Sequence, residues 1–280
     1  MNKKTCIIIS GPTAVGKTSY GIELALKHNT QIISADSRQC FKELNIGVAK
    51  PSKSQLEKVK HYFINTHSIH EEVNVKIFEE YALNAVNEIF EVNDVAIMLG
   101  GTGLYIEAFA EGVDDIPDIN GDIRKKINDQ YKILGLKWLH NEIKLHDPDF
   151  FEKGEMQNPQ RMLRALEIMT STGKSILDFH SGKKVKRDFD IKNIVLELPR
   201  EQLYNNINIR VDQMMLEGLL KEAEELLPFR HLNALQTIGY KELFDYFNGK
   251  VSLEKAIDEI KKNTRHYAKR QMTWFRRYQV

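Results

Sequence analysis

An α/β fold, a parallel sheet interrupted by a helical insertion, follows from three features of this 280-residue chain. Short apolar runs such as Cys6-Ile7-Ile8-Ile9 and Val95-Ala96-Ile97-Met98-Leu99 are each followed by a glycine-bearing turn and then by helical periodicity. That alternation builds parallel sheets covered on both faces. The first such turn, Gly11-Pro12-Thr13-Ala14-Val15-Gly16-Lys17-Thr18, has the G-x-x-x-x-G-K-[ST] spacing of a phosphate-binding loop. After about residue 113 the strand pattern stops, and it does not return until about residue 191. The sequence therefore predicts a P-loop NTPase-like core over 1–113 and 191–280, with a helical insertion domain over 114–190.

The elements follow in order. Residues 5–10 read as a buried strand, and 17–28 as a helix carrying Ile22, Leu24, Ala25 and Leu26. A second strand is expected at 31–35, ending at Asp36, and a third near 62–65. A helix fits 76–91, where Ile77, Phe78, Tyr81, Ala82, Ala85, Val86, Ile89 and Phe90 share one face. The strand at 94–99 stops at Gly100-Gly101-Thr102-Gly103, with a helix to follow. In the insertion, Ile123, Ile127, Tyr131 and Leu134, then Met162, Leu163, Leu166 and Met169, recur at helical spacing. Asn158-Pro159 is a helix start, with Asn158 as N-cap. Strand character returns at 191–198, and helices fill 200–227 and 239–277. Ligands of parallel α/β sheets sit outside the carboxyl ends of the strands. The polar clusters 11–18, 34–39 and 100–103 are therefore expected to converge.

Composition is that of an ordinary globular protein, 42% hydrophobic and 28% charged, with a formal net charge of +1. The total charge advertises no polyanionic partner, but its distribution is uneven. Glu111, Asp114, Asp115, Asp118 and Asp122 form an acidic stretch, and Lys183, Lys184, Lys186 and Arg187 a basic one. Lys261, Lys262, Arg265, Lys269, Arg270, Arg276 and Arg277 crowd the C-terminal segment, with no acid after Glu259. Such clusters neutralise a polyanion or form a solvated helix face. Two cysteines, Cys6 and Cys40, without metal-ligand spacing argue for a reducing cytoplasm. The first apolar run is too short for a signal peptide, and no segment reaches membrane-spanning length. A cytoplasmic protein with no membrane partner is expected.

The chemistry of the motifs is specific at some positions and open at others. Glycines let backbone N–H groups close around phosphate oxygens at a helix N-terminus. Lys17 supplies a point charge there, and Thr18 a hydroxyl for Mg²⁺. Asp36 and Ser37, at a strand end, hold a metal through water, take a proton, or merely cap a turn. Gly100-Gly101-Thr102-Gly103 lets a substrate pass close, or is simply a tight turn. Arg161 and Arg164, one helical turn apart, grip phosphates or make surface ion pairs. On the residues alone two other readings stay open. A small-molecule kinase would use the loop for ATP and Asp36 to activate a hydroxyl. A nucleotide-switched RNA-binding protein would want an acid after the 94–99 strand, where Gly100-Gly101 stand instead.

Six segments together resemble one family. They are Gly11 to Thr18; Ile33-Ser34-Ala35-Asp36-Ser37-Arg38-Gln39 with Ile46-Gly47-Val48-Ala49-Lys50-Pro51; Gly100-Gly101-Thr102-Gly103-Leu104-Tyr105-Ile106; Gln160-Arg161-Met162-Leu163-Arg164-Ala165-Leu166-Glu167; Ile238-Gly239-Tyr240-Lys241-Glu242; and Ala268-Lys269-Arg270-Gln271-Met272-Thr273-Trp274-Phe275. In this order they resemble the tRNA dimethylallyltransferases of bacterial type, across nearly the whole chain. The resemblance implies transfer of a dimethylallyl group from dimethylallyl diphosphate to an adenosine of tRNA, with diphosphate released. The acceptor is the exocyclic amine of the adenosine 3′ to the anticodon.

By resemblance, Gly11, Pro12, Thr13, Ala14, Val15, Gly16, Lys17, Thr18 and Arg210 would hold the diphosphate, with Mg²⁺ on Thr18. Asp36 would be the general base, with Lys17 and Thr102 the other catalytic residues. Asp36, Ser37, Arg38, Gln39 and Thr102 would contact the target nucleotide, flipped out of its single-stranded loop. Arg124, Gln160, Arg161, Met162, Leu163 and Arg164 would contact the tRNA anticodon stem-loop from the insertion. The C-terminal basic helix would add phosphate contacts, and a monomer is expected. Cys40, Phe41, Val48 and Asn65, together with the pair His61-Tyr62, depart from the common pattern, which bears on details of RNA contact.

Overall fold

The structure is a computed structural model, and it describes residues 3–180, 182 and 184–278. Lys183 of the basic stretch lies outside the described residues. The chain forms two units, Met1–Gly112 with Val185–Val280, and Val113–Lys184.

The first unit is built on five parallel strands: β1 (Thr5–Ser10), β2 (Ile32–Ala35), β3 (His61–Tyr62), β4 (Val95–Gly100) and β5 (Asp190–Val195). Their order across the sheet is β3-β2-β4-β1-β5. Period-two alternation divides the side chains of the central strands between two faces. Ile9, Ile32, Ile97 and Leu99 pack on one side with Ile22 and Ala25 of helix α1 (Lys17–Lys27). Cys6, Ile8, Ile33, Ala96 and Met98 pack on the other, with Phe78, Ala82, Ala85, Val86 and Ile89 of a long helix. Both faces being covered explains why these strands read as unbroken apolar runs. Register then fixes the site. Ile9 pairs with Leu99 and Ala35 with Gly100, so the segments starting at 11, 36 and 101 leave the sheet at one edge.

The remaining helices of this unit are α2 (Lys53–Lys58), α3 (Val75–Val92) and α4 (Gly103–Glu111), followed after the second unit by four more. The second unit holds α5 (Gly121–His146), α6 (Pro148–Lys153) and α7 (Pro159–Thr172). The chain then adds α8 (Arg200–Glu217), α9 (Leu219–Leu226), α10 (Tyr240–Phe247) and α11 (Leu253–Phe275). Among the described residues no helix is long and apolar enough to cross a membrane.

Differences from the sequence reading have local causes. The third strand is only two residues long because Phe63 (φ 61) and Asn65 (φ 57) turn left-handed directly after it. The helical stretch expected over 200–227 divides into α8 and α9 at Gly218 (φ 105). The one expected over 239–277 divides into α10 and α11 across Asn248-Gly249. The capped turn α2, closed by the Ser52 and Gln55 side chains, was not expected at all.

The second unit is helical, as its periodicity predicts. Asn158 Oδ1 caps α7 by accepting the N–H groups of Gln160 (3.1 Å) and Arg161 (3.4 Å). Ile127, Leu139, Ile143, Phe150, Met162, Leu163, Leu166 and Ile168 form its core. Helix α5 is interrupted at Gly135, whose φ of 73° and ψ of −167° lie outside the helical region. The unit ends at Lys184, earlier than the expected 190, because residues 185–189 are tied to the core. The Val185 N–H donates to Glu111 O at 2.8 Å, and Arg187 Nε to Phe109 O at 2.8 Å.

Candidate active site

The 11–18 loop takes a shape that its residues permit and few others would. Gly11 has φ 144, and a Cβ there would lie 2.5 Å from Leu196 O. Ala14 (φ 65) and Gly16 (φ 97) complete the turn, and Gly16 stands at the N-cap of α1. Lys17 folds back over the loop, its Nζ donating to Gly11 O (2.9 Å) and Pro12 O (2.8 Å). Burial pushes the Lys17 ammonium down to about 7; neighbouring Arg210 lowers it further, while Asp36 opposes. Arg210 itself is brought down by burial, and its NH1 donates to Thr13 Oγ1 at 3.2 Å. One turn earlier on α8, Asn206 Nδ2 donates to Ala14 O at 3.3 Å. Two half-buried cations flank a helix N-terminus here, an arrangement that favours a bound anion.

The end of β2 forms a second cluster. Asp36 Oδ1 accepts the N–H groups of Arg38 (2.9 Å) and Gln39 (3.3 Å). Asp36 thus shapes its own turn, and both bonds use Oδ1, leaving Oδ2 for a proton. Thr102 Oγ1 accepts the Ser37 N–H at 3.1 Å, and the Thr102 N–H donates to Ala35 O at 3.2 Å. Tyr267 of α11 lies near Thr102; burial first, and the Asp36 charge second, push its phenol up to about 12. Tyr267 is therefore a neutral hydrogen-bonding group at neutral pH.

Helix α11 closes this edge. Tyr267, Gln271 and Trp274 fall at i, i+4 and i+7 along one stripe. Gln271, only 5% exposed, bridges the 11–18 loop and the turn after β4. A Cβ at Gly101 would sit 2.2 Å from Gln271 Nε2, and one at Gly103 2.2 Å from Trp274 Nε1. Of the two readings of these glycines, the tight turn fits: the space beside Gly101 and Gly103 is taken by α11 and that beside Gly100 by Ala35. The sequence reading gave Tyr267, Gln271 and Trp274 no role. The available signal was a glutamine on the same helix face as Ile260, Ala268 and Phe275.

The structure thus gathers the 11–18 loop, Arg210, Asp36, Ser37, Arg38, Gln39 and Thr102 into the first unit's carboxyl edge. Arg124, Gln160, Arg161 and Arg164 belong to the second unit. There Arg124 Nε and Arg164 NH1 both reach Glu167 Oε2, at 3.5 and 3.4 Å, and Glu167 is nearly buried. Gln160 is exposed, as is Arg161, which pairs with Glu155. Met162 and Leu163 are a correction: both side chains lie in the helical core, so neither is on the exposed face of α7. Among the departures from the family pattern, Cys40 and Phe41 are core residues, and Asn65 Oδ1 accepts from Lys50. On α11, Lys261 pairs with Asp212 (2.6 Å), while Lys269 and Arg270 are exposed; in the turn after it, Arg276 is exposed and Arg277 pairs with Glu107 (2.9 Å).

Comparison with known proteins agrees along the chain. The family described as IPP transferase matches residues 39–278. A tRNA dimethylallyltransferase of Christiangramia forsetii is 48% identical over 271 residues, covering 97% of this chain and 90% of its own. One from Flavobacterium johnsoniae is 47% identical, over 98% of this chain and 91% of its own. The full-length tRNA isopentenylpyrophosphate transferase of Bacillus halodurans superposes with a TM-score of 0.69 at 36% identity, covering 98% of this chain and 87% of its own. A eukaryotic dimethylallyltransferase acting on tRNA reaches a TM-score of 0.80 at 29% identity, over 97% of this chain and 70% of its own.

Proposed function

The chain belongs to the IPP transferase family, and from that premise we propose how its site performs the transfer. It is a tRNA dimethylallyltransferase with a P-loop NTPase-like core, moving a dimethylallyl group onto tRNA. The donor is dimethylallyl diphosphate, and the acceptor is the exocyclic amine of the adenosine 3′ to the anticodon. The observation that carries this assignment of roles is that the 11–18 loop, with Lys17 folded over it and Arg210 bound to Thr13, and Asp36 after β2 leave the sheet at the same edge. Cations for a leaving diphosphate and a carboxylate for an incoming amine share that edge.

The bond changes follow. The adenine nitrogen attacks the terminal allyl carbon as that carbon's bond to the diphosphate oxygen breaks. Negative charge accumulates on the departing oxygens, where the N–H groups of the 11–18 loop, Lys17 and Arg210 stabilise it. The amine proton passes to Asp36 as the new C–N bond forms, because the neutral amine is a poor acid. Ser37, Arg38, Gln39 and Thr102 orient the flipped nucleotide, whose unstacking is cheapest in a single-stranded loop. Arg124, Arg161 and Arg164, with the exposed cations of α11, contact RNA phosphates.

Mg²⁺ is the ion this donor set fits. Among the described residues no group of three His, Cys, Asp or Glu side chains is placed to hold a metal. Mg²⁺ is commonly held by few protein ligands together with phosphate oxygens and water. The Thr18 hydroxyl, in the first turn of α1, would be the protein's share. Thr18 would hold the ion where its positive charge would help stabilise the leaving diphosphate. The working form proposed is a monomer in the cytoplasm, a reducing compartment in keeping with the free, buried Cys6 and Cys40.

The test mixes the protein, Mg²⁺, labelled dimethylallyl diphosphate and an unmodified anticodon stem-loop with adenosine beside the anticodon. ATP with the same RNA runs in parallel. Label entering the RNA only from the allylic diphosphate is the expected result. ATP turnover with no prenylated RNA would reverse the reading in favour of a kinase.

A further inference from the structure

We infer that Glu222 is a positioning residue for the nucleotide side of this site, acting through the 46–49 turn upon Gln39. The inference rests on the reading of Asp36 to Gln39 as the nucleotide contact.

Glu222 lies on α9, far in sequence from the segment it holds. Its Oε2 accepts the Ile46 N–H at 2.8 Å. Its Oε1 accepts the Gly47 N–H at 2.9 Å and the Tyr240 hydroxyl at 2.6 Å. Three donors from two separate elements thus converge on one carboxylate. The turn they hold has little stability of its own. Ile46–Val48 is a single 3₁₀ turn closed by Ala49 at φ 49, a conformation that costs a non-glycine residue energy. Fully buried Tyr240 presses on the turn from the other side, since a Cβ at Gly47 would lie 2.5 Å from its ring.

The held turn presents its carbonyls to one side chain. Gln39 Nε2 donates to Val48 O and to Ala49 O, each at 3.2 Å. Gln39 Oε1 accepts the Ser34 hydroxyl at 3.3 Å, and the Gln39 N–H donates to Asp36 Oδ1 at 3.3 Å. The side-chain amide is thereby oriented by the turn on one side and the end of β2 on the other, while its backbone braces Asp36. A carboxylate is the group this junction needs, because all three partners are donors. A glutamine at 222 would turn an NH₂ toward one of them. The Glu222 charge also acts on Lys50, whose Nζ donates to Phe41 O at 2.7 Å in the same region.

The experiment measures steady-state kinetics of the full chain with stem-loop RNA and dimethylallyl diphosphate for Glu222→Gln, Gln39→Ala and the double variant. Glu222→Gln is expected to raise the RNA KM about tenfold and leave the diphosphate KM unchanged. The double variant should be no worse than Gln39→Ala alone, because both changes break one chain of contacts. Tyr240→Phe, which keeps the carboxylate on the turn, should retain the wild-type RNA KM. If Glu222→Gln does not fold, Gly47→Ala displaces the same turn from the Tyr240 side, with the same KM change expected. A purely structural Glu222 would lower Tm with both KM values intact, or add fully to Gln39→Ala, and either result overturns the inference. An unchanged RNA KM in Gln39→Ala would remove the underlying nucleotide reading, and the inference with it.

Discussion

Gln271 and Thr13, 258 positions apart, are joined by a 2.8 Å hydrogen bond from the Thr13 N–H to Gln271 Oε1. The same carboxamide donates through Nε2 to Gly101 O at 2.8 Å. A helix whose exposed positions include Lys269 and Arg270 is thus fastened on its inner side to the 11–18 loop and the turn after β4. Both atoms of the amide are used, so neither a purely accepting nor a purely donating side chain replaces it.

Replacing Gln271 should therefore damage the loop before it damages the helix. Gln271→Ala leaves a buried N–H and a carbonyl without partners, a cost of about 1–3 kcal/mol. The expected outcome is a lower Tm and a raised KM for the allylic diphosphate. Gln271→Glu restores the acceptor for Thr13 but not the donor for Gly101, and it brings negative charge to the anion site. Its diphosphate KM should exceed that of the alanine variant, although its side chain is the better match in size. An alanine variant with wild-type diphosphate KM would show that the clamp does not shape the loop.

Lys17 makes stability and binding depend on pH in a defined direction. Its folded value, about 7, lies below the ordinary 10.5, because burial and Arg210 outweigh Asp36. Above 10.5 the side chain is neutral whether folded or not, and it imposes no penalty. As pH falls toward 7 the unfolded chain binds the proton first, and folding loses stability. Lys17→Met should therefore be more stable than the wild type near neutral pH, by a margin that shrinks as pH rises toward 10.5. Denaturation at several pH values measures this. A bound diphosphate should raise the Lys17 pKa, so binding between these limits takes up a proton. Calorimetry in two buffers of different ionisation enthalpy reads that uptake directly.

Much of this site was legible before any coordinates, for reasons that differ by residue. The 11–18 loop and the strand before it are local: spacing, glycine and an apolar run encode them within about a dozen positions. The convergence of Asp36 and Thr102 followed from one topological rule about parallel sheets. Gln271, Tyr267 and Glu222 were not legible as working residues. Each acts across more than 160 positions, and a polar residue on an apolar helix face leaves only a faint trace. Met162 and Leu163 were misplaced for a different reason. A contiguous motif runs around a helix, so its members cannot all face RNA when Met162 and Leu163 fill the core.

Asp36 offers a sharp separation of shape from chemistry. Asparagine at this position retains an Oδ1 acceptor for the Arg38 and Gln39 N–H groups, so the turn persists. It cannot take the amine proton. Asp36→Asn should bind dimethylallyl diphosphate as the wild type does, while its transfer rate falls about 10²–10⁴-fold. Diphosphate binding by titration and single-turnover label transfer provide the two readouts. A fully active variant would reduce Asp36 to a turn-forming residue.

The helical unit carries its own prediction, because Glu167 holds two arginines at once. Its carboxylate is nearly buried, whereas Arg124 and Arg164 stay partly exposed at 41% and 34% of their side-chain surface. Each guanidinium has an anchored edge, and each has solvent-facing surface to offer a phosphate. Arg164→Ala removes a cation, so tRNA binding should weaken and the slope of log K against log salt should fall by about one phosphate contact. Glu167→Gln keeps both cations but removes the charge that draws Arg124 and Arg164 together. It should leave the salt slope near the wild-type value while lowering affinity, because the arginines must be ordered on binding. It should also destabilise the fold by about 1–2 kcal/mol, less than a fully buried pair, since water screens both arginines. Equilibrium binding at several salt concentrations separates the two variants. An unchanged slope and affinity in Arg164→Ala would confine this arginine to the fold of the helical unit.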